Sequence, residues 1–270
     1  MNARRAILPA ATADARPAKL EDKSMTSDHI VTSYDEELNL LNQTILKMGG
    51  LAESQLAAAI QAVATRNPDL AAETVREDVK IDDLESEVDQ MAIKLLALRQ
   101  PMAKDLRNIV AALKISSDIE RIGDYAANVA KRAIALSETR AARPAKSIPR
   151  MGRIVQHMIK DVLDAYTEGD ADKAKQVWLR DEEVDDLYNS LFRELLTYMM
   201  EDPRNITPCT HLLFIAKNIE RMGDHTTNIA EIIYFMVQGH QLTETRPKSD
   251  SASFTVMEPP DGDIANDDAG

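Results

Sequence analysis

The chain of 270 residues is long enough for one large domain or two modest domains with a hydrophobic core. Its 9 glycines, 11 prolines and 4% aromatic residues argue against a β-sandwich or β-barrel, which needs many turns and strand-forming side chains. A formal net charge of −13 argues against a nucleic-acid-binding protein, and no run of 18 or so apolar residues predicts a membrane span.

The chain begins with a stretch that has no periodicity. Residues 1–27 are expected to be a disordered extension, and Met25 offers an alternative translation start. Beyond it, apolar residues recur at helical spacing, with interruptions at Pro, Gly and Asn. Six long helices are predicted, at about residues 34–66, 68–98, 102–136, 151–167, 170–198 and 208–239.

Two sequence patterns each occur twice. DIERIGDYAANVA at 118–130 returns as NIERMGDHTTNIA at 218–230, and DVKIDDL at 78–84 returns as DEEVDDL at 181–187. A long repeat period indicates a duplicated structural unit. The sequence therefore predicts an all-α fold, a tandem repeat of two antiparallel three-helix bundles with disordered termini. The expected divisions are a first bundle at 28–140, a linker at 141–149, a second bundle at 150–241 and an acidic tail at 242–270.

Acidic residues recur one helical turn apart beside the apolar stripes of these helices. Such pairs repel unless a cation lies between them, and Arg121 and Arg221 are expected to point away from them. Carboxylate and amide oxygens suit hard or borderline metal ions. From the residues alone, a solvated acidic face and a metal site both remain open. The candidate ligands are Asp78, Asp82, Glu120, Asp124, Asp181, Asp185, Glu220 and Asp224, with Asn128 and Asn228 as weaker candidates.

Other chemistry is not evident from the sequence, which has no glycine-rich phosphate loop, paired-cysteine metal site or nucleophile elbow. His225 takes the place of Tyr125 in the other repeat, which favours a surface or packing role over metal ligation. Cys209, the single cysteine, excludes an internal disulfide, fits a reducing compartment and is interpreted as a packing residue. Trp178 is interpreted as a core or interface residue.

Three motifs resemble the signatures of the PhoU family. They are RQPMAKDLR at 99–107, IERIGD at 119–124 and NIERMGDHTTNIAE at 218–231, and the similarity covers roughly residues 34–241. The resemblance implies two three-helix-bundle repeats and no catalytic activity. It also implies that the acidic pairs bind divalent or trivalent metal ions, with Fe, Zn, Mn and Mg as candidates.

The resemblance implies that the protein is a negative regulator of phosphate uptake and of the phosphate-starvation response. Such a protein would be a cytoplasmic homodimer, at the inner membrane only through its partners. The expected partners are the ATPase subunit of a phosphate ABC transporter and a phosphate-sensing histidine kinase. Nucleic acid is not expected as a partner. The alternatives are a purely structural helical adaptor without metal dependence and a carboxylate-bridged metalloenzyme.

Overall fold

The computed structural model describes residues 24–139 and 147–244, and within these ranges the fold is built from helices without strands. No helix in the described ranges combines the length and apolar character that crossing a membrane requires. The helices in chain order are α1 (Ser24–Thr65), α2 (Pro68–Glu77), α3 (Val79–Arg99), α4 (Ala103–Glu138), α5 (Ser147–Glu168), α6 (Ala171–Leu179), α7 (Asp181–Glu201) and α8 (Ile206–Gln238), with a 3₁₀ helix (Pro203–Asn205) before α8.

These helices form two three-helix bundles, which confirms the predicted all-α tandem repeat. In the first bundle α1, the α2–α3 pair and α4 pack together, and in the second α5, the α6–α7 pair and α8 do so. The bundles are joined along α4 and α8, which carry the two copies of the repeated motif, and along α1 and α5. The motif helices therefore lie at the centre of the molecule, each facing its own bundle on one side and its counterpart on the other.

The second and fifth predicted helices are each two helices rather than one. The breaks fall at Asp78 and Arg180, which are nearly equivalent positions in the two repeats. At each break a tighter hydrogen bond between residues three apart is made: Ile81 N donates to Asp78 O at 2.8 Å, and Glu183 N to Arg180 O at 3.1 Å. Apolar periodicity continues across such a bend, so the spacing of side chains did not reveal it.

The second helical segment of each repeat begins with the same cap. The side-chain oxygens of Asn67 and Asp170 accept hydrogen bonds from the backbone N–H groups of the second and third residues after them. Just before these caps the chain turns through positive φ, at Arg66 (52°) and at Gly169 (63°). Arg66 is the less favourable residue there, but its guanidinium donates to carbonyl oxygens at the end of α4, including Leu136 O at 2.5 Å.

The outer boundaries differ in detail from the expected ones. α1 begins at Ser24, within the range 1–27, because extending an existing helix adds one hydrogen bond per residue ordered. α5 begins at Ser147, within the range expected as a linker, and Pro149 lies in its first turn, where no N–H is needed. The residues expected to be disordered at 1–23 and 245–270 lie outside the described residues, as does most of the expected linker.

α1 and α5 approach each other closely at two glycines in equivalent positions. A Cβ on Gly49 would lie 2.5 Å from a methyl carbon of Leu163, and one on Gly152 would lie 2.7 Å from Ile60. Leu163 and Ile60 are themselves equivalent in the two repeats. This contact is therefore made twice around an approximate two-fold axis, and it fixes how the two bundles meet.

Candidate functional site

The glycine of each motif brings an acidic bend against the motif helix. A Cβ on Gly123 in α4 would lie 2.8 Å from Ile81 and 3.3 Å from the Asp78 carboxylate. In the second repeat, a Cβ on Gly223 would lie 3.6 Å from the Asp181 carboxylate. The absent side chain thus lets the start of α3 or α7 pack onto the helix that carries Glu-x-x-x-Asp.

The first acidic cluster joins Asp82 on α3 to Glu120 and Asp124 on α4. Burial, followed by the charges of Asp124 and Glu85, raises the pKa of Glu120 to about 7. Burial also raises the pKa of Asp82, with added repulsion from Asp78 and Asp124. The Glu120 and Asp124 side chains remain 21% and 40% exposed, so this cluster lies at the surface. Sequence reasoning missed Glu85, which lies one turn beyond Asp82 on the same helix.

Asp78 is held by a residue that the sequence analysis did not single out. Its Oδ1 accepts a hydrogen bond from Gln55 Nε2 of α1 at 2.9 Å, and the same nitrogen lies 3.4 Å from Thr74 O. The remaining amide oxygen of Gln55 is buried without a hydrogen-bond partner. Gln55 lies on a different helix, outside the repeated sequence patterns. Only the tertiary packing therefore reveals this contact.

Arg121 lies within the first cluster, which corrects the expectation that it points away. Its Nη1 is 3.2 Å from Asp124 Oδ2, and its Nε is 3.7 Å from Glu120 Oε2. Residues three apart on a helix are neighbours, and a long flexible arginine can turn back toward them. Arg221, by contrast, faces the other repeat, with its guanidinium carbon 5.7 Å from the ring centre of Tyr125.

The second cluster is more deeply buried than the first. Asp181, Asp185 and Glu220 are only 1%, 4% and 5% exposed. Glu220 Oε1 accepts from Lys217 Nζ at 2.9 Å, whereas its Oε2 is buried without a hydrogen-bond partner. Burial raises the pKa of Glu220 to about 7, the Lys217 ammonium opposes this rise, and Asp224 and Asp185 add to it. Lys217 takes the place of Ser117 in the first repeat, so the two clusters are not electrostatic copies.

The weaker candidates lie at the crossing of α4 and α8. Asn228 Nδ2 donates to Asp118 Oδ1 at 3.4 Å, and Asn128 Oδ1 accepts from Lys131 Nζ at 3.4 Å. His225 Nδ1 is 2.7 Å from the same oxygen of Asp118, and its ring centre is 5.6 Å from that of Tyr125. His225 therefore contacts Asp118 and Tyr125 of the other repeat, and the choice between a surface or packing role and metal ligation stays a prediction.

Trp178 and Cys209, the other two residues discussed from the sequence, are buried. Trp178 is enclosed in the core and donates from Nε1 to Glu231 Oε1 at 2.8 Å, linking α6 to α8. Cys209 is buried as a free thiol, and burial raises the pKa of that thiol, which makes the reactive thiolate scarce. Both are packing residues, as interpreted from the sequence.

The ligand atoms of these clusters suit a metal ion, but their positions do not. Carboxylate oxygens are suitable ligands for hard cations, and Glu220 Oε2 is a buried carboxylate oxygen without a hydrogen-bond partner. Within the described ranges, however, no three His, Cys, Asp or Glu side chains are placed so that they could hold one ion. The assignment of metal ligands therefore stays a prediction, and binding would need side-chain movement in either cluster.

Comparison with known proteins identifies the repeated unit. The PhoU domain model matches the chain twice, at residues 45–133 and 148–233. A phosphate-specific transport system accessory protein PhoU homolog from Caulobacter vibrioides is 56% identical over 228 residues, which cover 84% of this chain and 99% of that protein.

Solved structures give the same result. The PhoU crystal structure from Pseudomonas aeruginosa has a TM-score of 0.74 at 41% identity and covers 77% of this chain and 100% of that one. The phosphate transport system regulatory protein PhoU from Streptococcus pneumoniae has a TM-score of 0.73 at 30% identity, covering 78% and 100%. With both repeats matched by the family model and by relatives along most of its length, the chain belongs to the PhoU family.

Proposed function

We propose that this protein is an accessory regulator of phosphate transport, acting as a negative regulator of phosphate uptake and of the phosphate-starvation response. The observation that supports this most strongly is the similarity along both repeats to proteins named as phosphate-specific transport accessory proteins. The proposal assigns the protein a binding role rather than a catalytic one, in the cytoplasm and at the membrane only through partners.

The proposed mechanism is coupling between two partners. The chain, as a homodimer, docks on the ATPase subunit of a phosphate ABC transporter and on a phosphate-sensing histidine kinase, so that transporter state biases kinase state. The exposed first cluster and the net charge of −13 support docking on basic surfaces, since complementary charge speeds association and makes it sensitive to salt. Of the two clusters only the first is exposed enough to take part directly in docking, because Asp181, Asp185 and Glu220 of the second are buried.

Deletion of the gene is expected to derepress the phosphate-starvation response in phosphate-rich medium. The reason is that the kinase would no longer be held in its repressing state. A phosphate-responsive promoter fused to a reporter enzyme measures this, with the wild-type gene restored in trans as the control. A reporter that stays repressed at high phosphate in the deletion strain contradicts the proposed function.

Metal binding is the second element of the proposal, with Fe, Zn, Mn and Mg as candidate ions. Replacing Glu120 and Asp124 together by alanine is expected to remove the metal bound by the first repeat, about half of the total. Elemental analysis of purified protein after loading and desalting measures the content. Asp69→Ala with Glu73→Ala is the matched control, because it removes an exposed acidic pair of the same spacing on α2. Equal metal content in both double variants rules out the assignment.

A helical adaptor without metal dependence is the competing function. It is favoured by the absence of a preformed three-ligand group among the described side chains. Capture of transporter and kinase from solubilised membranes, with and without a chelator, distinguishes the two. Capture that is lost on chelation supports the metal-dependent scaffold, and unchanged capture supports the adaptor. A carboxylate-bridged metalloenzyme would instead show turnover when loaded with metal.

A further inference from the structure

A basic cleft lies on one side of the crossing between α4 and α8. Its volume is about 430 Å³, within the range of small-molecule sites. One wall comes from α4, and the other from the first half of α8. The polar and charged side chains that line it are Asn128, Lys131, Arg132, His211, Asn218 and Arg221.

The charge of this cleft is opposite to that of the protein as a whole. Lys131, Arg132 and Arg221 bring three positive charges together, and no carboxylate of the described residues lines the cavity. The whole chain, in contrast, has a formal net charge of −13. Like charges held together cost free energy unless an anion is present, so the concentration of cations in one cavity requires an explanation.

The three cations are not neutralised by ion pairs within the described protein. Lys131 Nζ contacts the amide oxygen of Asn128 at 3.4 Å. The Arg132 guanidinium lies 3.5 Å from His211 Nδ1 and 4.4 Å from the ring centre of Phe214. These partners are neutral or aromatic, so most N–H donors of the cluster remain available to an oxyanion.

The pKa of His211 also indicates a positive electrostatic potential in the cleft. Burial, and then the Arg132 charge, lower the pKa of the His211 imidazole. The ring is therefore held neutral at pH 7, with Nδ1 beside the guanidinium. A neutral imidazole leaves one further ring nitrogen for a ligand without adding a fourth positive charge.

The equivalent cleft on the other side of the crossing is different, although the fold repeats. It has a volume of about 930 Å³ and is lined by both acidic and basic residues. There Glu231 occupies the position of Lys131, and Asp118 occupies that of Asn218. Arg121, the counterpart of Arg221, is paired with acids of its own helix. The all-basic lining is therefore a property of one cleft and not a consequence of the architecture.

We propose that the cleft formed by Lys131, Arg132 and Arg221 binds a phosphoryl oxyanion, either free inorganic phosphate or the phosphate chain of a nucleotide. Two guanidinium groups supply forked donors that match phosphate oxygens, and the lysine supplies a third charge. Asn128 and Asn218 add amide groups on opposite walls. The exposed ring of Phe214 lies beside the site and offers a surface for a nucleotide base. This inference is separate from the proposed regulatory function, because it concerns binding to the purified chain alone.

Calorimetric titration of the purified full chain tests the proposal, in metal-free buffer of low ionic strength without phosphate. Inorganic phosphate, inorganic triphosphate and ATP are the three probes. We expect saturable binding of at least one probe, at one site per chain, weakened by added salt. Arg132→Gln with Arg221→Gln is expected to weaken binding by about tenfold or more, because two charge-assisted hydrogen-bond donors are lost.

The matched control is Arg153→Gln with Lys160→Gln, which removes the same charge from exposed positions on α5. It is expected to leave the affinity unchanged within about twofold, since these groups lie outside the cleft. Lys131→Glu is the second test, because it introduces the acid found in the equivalent cleft at an exposed position and does not disturb the core. It is also expected to abolish binding.

The probes distinguish the two sources of the oxyanion. Similar affinity for phosphate and ATP supports a site for free phosphate, whereas binding of ATP with no response to phosphate supports a nucleotide site. The proposal is overturned if none of the three probes gives saturable binding to the wild-type chain. It is equally overturned if the Arg153 and Lys160 control weakens binding as much as the Arg132 and Arg221 pair does.

Discussion

Replacing Trp178 by alanine is expected to lower the free energy of unfolding by about 3–5 kcal/mol, the usual cost of deleting a large buried aromatic side chain. The indole is 2% exposed in the second bundle, and its N–H donates to Glu231 on α8. The substitution would therefore leave both a cavity between α6 and α8 and an acceptor without its donor. Domains are stable by only about 5–15 kcal/mol, so much of the stability would be lost.

Urea denaturation followed by far-ultraviolet circular dichroism measures this loss, because the variant has no tryptophan left for fluorescence. Trp178→Phe is expected to lose less, about 1–2 kcal/mol, since it keeps most of the ring volume but not the hydrogen bond. Ile93→Ala, at a position that is 64% exposed, is the control and should change stability by less than about 0.5 kcal/mol. A Trp178→Ala midpoint equal to that of Ile93→Ala contradicts the prediction.

The second large effect is the contribution of Glu220 to the pH dependence of stability. Burial raises the pKa of Glu220 in the folded protein to about 7, above its ordinary value of 4.5. Below pH 4.5 the carboxyl is protonated in both states and contributes nothing. Between pH 4.5 and 7 the unfolded chain ionises first, so stability falls as pH rises. Above pH 7 the loss is complete, at about 3 kcal/mol.

Glu220→Gln removes this titration and should make the pH profile less steep, while Glu120 continues to titrate over the same range. Relative to wild type, the variant is expected to gain about 2–3 kcal/mol of stability between pH 4.5 and pH 8, measured by urea denaturation in the presence of a chelator. The difference between the two pH values cancels any constant effect of placing an amide beside Lys217. Glu182→Gln, on the exposed face of α7, makes the same change in charge and should not alter the profile. Parallel profiles for wild type and Glu220→Gln would refute the assignment.

These two predictions both fall on the second repeat, where the duplicated pattern has become least symmetrical. Trp178 occupies the position of the partly buried Val75, and Lys217 that of Ser117. The second cluster is enclosed, whereas Asp82 and Asp124 of the first are accessible to solvent. In the proposed scaffold the exposed first cluster is therefore the more accessible docking face.

Periodicity did not predict the breaks at Asp78 and Arg180. Together with repetition, it was sufficient to predict the all-α fold, the two bundles and the acidic pairs beside the apolar stripes. These features depend on local spacing, since a residue's place on a helix face follows from its number. Gly123 of the motif lies against Ile81 where the two helices meet.

The tertiary structure alone decided how buried each carboxylate is and what faces it. Gln55 reaches Asp78 from another helix, and His225 reaches Asp118 from the other repeat. Such contacts join residues distant in the chain, whose distances depend on how the helices cross and not on their spacing in sequence. The same crossing of α4 and α8 separates the basic cleft from the equivalent cleft, which is lined by both acidic and basic residues. The sequence by itself thus determined the repeated unit and its acidic residues, while packing between the repeats determined that the two copies are chemically different.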